Sequence, residues 1–195
     1  MRIGLFVSLL AVPFLGTAAI ASATVITFDT VPISSVTSYS ESGVTFTALN
    51  GSTFSAVPDP NGTNGLLSDP SPRIEFKATL PSGVSQVSVD LGDFDADPDL
   101  LVLRAFDAGN NLLAFTSMLI AASFVGMDTL TVSAANIAYV TFGSEPPSVN
   151  GSSVYADNFT FIAAVPEPAS LALLATSLFT LGWLRRRRGH PSFRP

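Results

Sequence analysis

The chain predicts an all-β fold, a β-sandwich of the jelly-roll kind, with a signal peptide before it and one transmembrane helix after it. Short runs that alternate polar and apolar residues recur between turn signals across residues 24–164. No segment there sustains a helical period, and two apolar stretches, 3–20 and 169–184, stand outside that region. Nine or ten short strands in one domain of about 140 residues make a sandwich the expected architecture.

Taken in order, residues 1–23 read as a signal peptide. Arg2 supplies a minimal positive start, an apolar run follows, and Ala21-Ser22-Ala23 offers the small residues at alternate positions that signal peptidase requires. Cleavage there starts the mature protein near Thr24. Strands are then expected at 24–28, 43–49, 52–56, 73–80, 84–91, 100–106, 111–117, 129–133, 137–142 and 154–162. In Val84-Ser85-Gln86-Val87-Ser88-Val89 the character changes nearly every residue, as a half-buried strand demands. Asp107-Ala108-Gly109-Asn110 has the composition of a tight hairpin loop. Residues 118–125 suit one short helix. Two loops are expected, at 57–72, where six Pro and Gly residues interrupt regular structure, and at 144–153. Phe46, Phe76, Phe106, Phe142 and Phe161 are the expected core.

Behind the domain, Val165-Pro166-Glu167-Pro168 precedes the apolar run, which carries no charge and forms a helix of roughly 24 Å, a little short of a bilayer's hydrocarbon core. Trp183 stands where an interfacial aromatic belongs, and Arg185, Arg186, Arg187 and Arg188 mark the cytoplasmic side by the positive-inside rule. Residues 190–195 then form a cytoplasmic tail. Pro166 and Pro168 lack backbone donors and hold the segment extended, open to an enzyme at the membrane surface.

The motif Pro166-Glu167-Pro168, one apolar helix and an arginine cluster together resemble the PEP-CTERM protein-sorting tail of Gram-negative bacteria, also labelled the C-terminal domain of ice-binding proteins. The resemblance covers residues 165–189. It implies export by the general secretory route, transient tethering in the inner membrane with the domain in the periplasm, and processing by an exosortase. It further implies delivery to the cell surface or beyond, in company with exopolysaccharide and biofilm formation.

Composition narrows the domain's chemistry. Between 24 and 164 only Arg73, Lys77 and Arg104 oppose fourteen acids, a net charge of about −11 against −6 for the whole chain. Nucleic acid is excluded as a partner by the lack of clustered cations, whereas divalent cations suit such a surface. The chain has no cysteine and its one histidine is His190, so the domain assembles no Ser-His-Asp triad, Cys-His pair or histidine-bearing zinc site. The expectation is a non-enzymatic protein, with glycoside hydrolysis by paired carboxylates the least excluded chemistry.

Two candidate calcium sites follow. Asp93, Asp95, Asp97 and Asp99 alternate, so an extended backbone sets all four on one face, where their repulsion calls for a cation. A solvated acidic turn is the competing reading. The EF-hand pattern does not apply, since the sixth and twelfth places from Asp93 hold Pro98 and Arg104. The second candidate pairs Asp29, after the first strand, with Asp157 in the last. It rests on a loose resemblance to jelly-roll carbohydrate-binding modules, in which first and last strands lie side by side and share a structural calcium. Those modules also imply sugar binding, although the domain has no Trp and only Tyr39, Tyr139 and Tyr155 as candidate platforms.

Overall fold

The computed structural model describes residues 22–49, 51–69, 75–94, 98–145, 154–163 and 176–181. Ten strands form: β1 (Ala23–Ile26), β2 (Ser38–Glu41), β3 (Val44–Ala48), β4 (Thr53–Pro58), β5 (Asn64–Asp69), β6 (Phe76–Phe94), β7 (Asp99–Phe106), β8 (Leu112–Ile120), β9 (Val125–Glu145) and β10 (Tyr155–Ala163). They belong to the compact unit Ala21–Ala164. The fold is all-β, as the alternating runs require.

The strands join one antiparallel sheet in the order β4-β5-β10-β6-β9-β7-β8, with β1 on β10 and the β2–β3 hairpin on β6. The first strand thus lies against the last, from Ala23↔Ile162 to Ile26↔Phe159. Two strands organise the rest. β6 has 19 residues and β9 has 21, and each serves different neighbours along its length. The start of β6, at 76–79, takes β3, whereas its later part, from 84, takes β10. The end of β9 takes β7.

The separate strands expected at 73–80 and 84–91 are therefore one bent strand, and so are those at 129–133 and 137–142. Pro81 and Gly83, read as a turn, instead make an irregularity inside β6, with register shifts against β9 on either side of Val84 and Gly83 at φ 79°. The extra residues change the phase of burial. Phe76, Ala78, Leu80 and Val84 are buried at even positions, then Val87, Val89 and Leu91 at odd ones. β9 breaks opposite, where Asn136 adopts φ 59°.

Bending brings distant rings together. Phe46 of β3 and Phe159 of β10, which pair with different parts of β6, meet edge to face at 5.0 Å. Phe28 joins Phe46 at 5.0 Å, and Phe54 of β4 meets Phe76 of β6 at 5.6 Å. Each of these rings is fully buried or nearly so, a gain of about 2–3 kcal/mol apiece over exposure. Phe106, expected in the core, is only half-buried and stacks on Tyr139 at 4.8 Å.

Three other expectations are corrected. Residues 118–125 form no helix: β8 runs to Ile120, a turn closes from the Phe124 amide to the Ala121 carbonyl, and β9 follows. The loop expected at 57–72 contains β5, paired with β4 from Thr53↔Asp69 to Pro58↔Asn64. β2 was unforeseen; its hairpin turn places Ser42 and Gly43 at φ 51° and 80°, the two positive angles a two-residue connection needs. The hairpin at Asp107–Asn110 forms as expected, with Asp107 Oδ1 accepting the amides of Gly109 and Asn111 and Asn110 at φ 65°.

Residues 176–181 are helical and belong to a separate unit. Among the described residues no helix is long and apolar enough to cross a membrane. The remainder of the expected 169–184 span, residues 1–21 and most of the 144–153 loop lie outside them.

Candidate functional site

The most unusual chemistry lies where β10 meets the β4–β5 hairpin. In β10, Asn158 takes φ 47° and the register against β6 slips between Asp157 and Thr160. This irregularity breaks the strand's alternation, so Ala156 and Asp157 are buried in succession. Asp157 is 1% exposed, a carboxylate in the interior.

The hairpin supplies its surroundings. Asp59 ends the β4 side, is itself buried, and its Oδ1 accepts the amides of Asn61 and Thr63 at 2.9 and 3.1 Å, the local turn that Asp favours. Gly62 at φ 83° completes the turn. The Thr63 hydroxyl then lies 3.0 Å from Asp59 Oδ2 and 3.0 Å from Asp157 Oδ2. A Cβ at Gly65 would stand 3.1 Å from the Ala156 carbonyl oxygen and 3.5 Å from Asp59 Oδ2, so glycine permits this close approach.

Burial pushes the Asp157 carboxyl up to about 6, opposed by the Asn158 amide and the Thr63 hydroxyl and reinforced by the adjacent Asp59. Its Oδ1 is buried with no hydrogen-bond partner among the described residues. Two buried carboxyl groups that meet the same hydroxyl hold like charge close to like charge, away from solvent.

The residues singled out from sequence are distributed around this point. Asp157 meets Asp59 and Thr63, while Asp29 is exposed and accepts the Thr27 hydroxyl at 2.8 Å. Asp93 and Asp99 are buried, not solvated; Asp93 Oδ1 accepts the Phe94 amide. Asp95 and Asp97 lie outside the described residues. Among the described residues no three acid, histidine or cysteine side chains gather to hold a metal. Asp90 on β6 ties the sheet's outer side, accepting from Thr129 of β9 at 2.5 Å and from Asn158 of β10 at 2.9 Å.

Beside Asp93 sits an aromatic pair. Phe94, 48% exposed, meets Tyr155 edge to face with centroids 5.1 Å apart. Burial, then the charge of Asp93, raises the Tyr155 hydroxyl above its ordinary value. Ala23 begins β1, whereas Ala21, Pro166, Glu167, Pro168 and Arg185–Arg188 lie outside the described residues.

Sequence reading missed Asp59 and Thr63. Asp59-Pro60-Asn61-Gly62-Thr63 is legible as a turn, but nothing in it announces that its aspartate is buried against a strand some hundred residues away.

Residues 164–188 match the family model of the PEP-CTERM protein-sorting motif. That motif marks a chain for export and membrane-anchored sorting toward the cell surface, with exosortase as the processing enzyme. No curated protein matches the chain. Among solved structures, the CBM22-1 xylan-binding domain of Paenibacillus barcinonensis Xyn10C is similar with a TM-score of 0.48 at 12% identity, covering 77% of this chain and 100% of that one. The K1 cleaved adhesin domain of Lys-gingipain from Porphyromonas gingivalis W83 gives 0.47 at 12%, covering 74% and 99%. The arabinose-bound MgGH51 α-L-arabinofuranosidase gives 0.46 at 12%; the match covers 69% of this chain, which spans about a quarter of that enzyme's length.

Proposed function

We propose that the chain is an exported, surface-sorted protein whose β domain serves without catalysis in the extracellular matrix or envelope. The sorting motif at 164–188 carries this reading. The signal peptide at 1–23, a membrane tether at 169–184 and exopolysaccharide as neighbour belong to the same proposal. A jelly-roll sandwich is the proposed form of the domain, supported by the bends in β6 and β9 and the Phe46–Phe159 contact. The non-enzymatic role is supported by the lack of cysteine and histidine between residues 24 and 164, which leaves the domain no thiol or imidazole to act as nucleophile or base.

The test is expression of the full chain with and without an exosortase. The expected result is a shorter product found at the surface or in the medium only when the enzyme is present, and an unprocessed, membrane-bound chain for Glu167→Ala. Identical mass and location under both conditions would rule the reading out.

A second reading, saccharide binding, rests on the exposed Phe94 ring, held edge to face against the half-buried Tyr155 as an apolar platform. If it holds, polysaccharide pull-down retains the full-length protein, and Phe94→Ala lowers retention about tenfold or more. Equal retention of the variant removes Phe94 as a platform.

A further inference from the structure

We propose that Asp59, Thr63 and Asp157 hold a divalent cation, calcium by its ligand chemistry, which pins the β4–β5 hairpin to β10. This site is distinct from the Asp93–Asp99 loop and from the Asp29–Asp157 pairing, and the sorting reading does not depend on it.

Proton counting supplies the first argument. A threonine hydroxyl has one hydrogen, yet Thr63 Oγ1 stands 3.0 Å from an oxygen of each carboxylate, so it satisfies one and leaves the other facing like charge. Both acids are at least 98% buried, where solvent does little to weaken that repulsion. The second argument is the buried Asp157 Oδ1, which has no hydrogen-bond partner among the described residues. An interior carboxylate oxygen in that state wants a cation.

Neutral oxygen is also at hand. A Cβ at Gly65 would stand 3.1 Å from the Ala156 carbonyl oxygen and 3.5 Å from Asp59 Oδ2, so both oxygens border the space that glycine leaves free. Carboxylate, hydroxyl and carbonyl oxygens without nitrogen or sulfur suit a hard cation, and the flexible coordination of calcium tolerates an irregular set completed by water. The position makes mechanical sense, because among the described residues β5 and β10 register through the one pair Ala156↔Leu66. A cation at this point reinforces that junction. With two carboxylates rather than three or four, the affinity belongs to the class of extracellular modules, a dissociation constant of roughly 10⁻⁴–10⁻³ M.

The experiment uses the full-length protein in detergent, with calcium alone titrated by calorimetry and melting followed in calcium and in chelator. One ion per chain and a higher melting temperature in calcium are expected. Asp59→Asn and Thr63→Val should each weaken binding about tenfold or more, and Asp93→Asn should leave it unchanged. Thr63→Val keeps both carboxylates and nearly the same volume, so it reports on the site even if Asp59→Asn fails to fold. The proposal is overturned by the absence of calcium binding with equal melting in calcium and chelator. It is equally overturned if binding survives Thr63→Val undiminished, or is lost in Asp93→Asn.

Discussion

At Asn158 the backbone turns to φ 47°, and its neighbour Asp157 consequently points into the protein instead of out to water. The consequence is a measurable pH dependence. In chelator, the folded-state value of about 6 lies above the ordinary carboxylate value of 3.8, so the folded chain holds an extra proton between the two. Stability contributed by the protonated form is complete below about pH 4 and is lost as pH rises through about 6, by about 1–3 kcal/mol. Urea unfolding across that window should show the decline, and Asp157→Asn should flatten it; a stability that rises steadily from pH 4 to 7 would contradict the assignment. The two cations of the domain among the described residues, Arg104 and Lys77, are also committed. Arg104 pairs with Glu75 at 3.1 Å and with Glu145, and lies over the Phe115 ring, while Lys77 sits 4.0 Å above Tyr139. Asp157 was legible as a singular residue because an acid interrupts an apolar strand. Its partner Asp59 was not, because a turn acid is ordinary until the fold covers it.

At the scale of elements, strand identity was written in the alternation, whereas strand number was not. Gly83 and Pro81 look the same in sequence whether they close a hairpin or bend a continuous strand, and only pairing with β9 on both sides distinguishes the cases. The same limit hid β2, whose Ser-Tyr-Ser-Glu carries little apolar character and becomes a strand because β3 lies beside it. β8 explains the misplaced helix: Leu119 and Met118 are exposed on this outer strand, so its end loses the strict alternation that marks a half-buried strand. Glycine sets one contact sharply. A Cβ on Gly92 would lie 1.8 Å from the Gly126 carbonyl oxygen, across the β6–β9 pairing. Gly92→Ala should therefore displace backbone and cost about 3 kcal/mol or more, seen as a lowered melting temperature, while Gly83→Ala, with open space around it, should cost only the strain of its positive φ. Equal losses in the two variants would refute the distinction.

Over the whole molecule, an acidic β domain without cysteine or histidine is joined to a sorting motif at 164–188. Charge and composition are additive properties, and so the domain's acidic balance and its lack of cysteine and histidine could be read directly. So could the all-β class, since the two-residue period of a strand is local, and the PEP-CTERM motif, since its contiguous residues need no fold to be recognised. What the tertiary structure alone decided was which distant residues meet. Bends in β6 and β9 carry Phe46 to Phe159, and the irregularity in β10 carries Asp157 to Asp59 and Thr63. Contacts across such separations depend on register and on where a strand breaks its alternation. A shift of one residue reverses which side chains are buried, and the pattern of polar and apolar residues does not by itself fix where that shift falls.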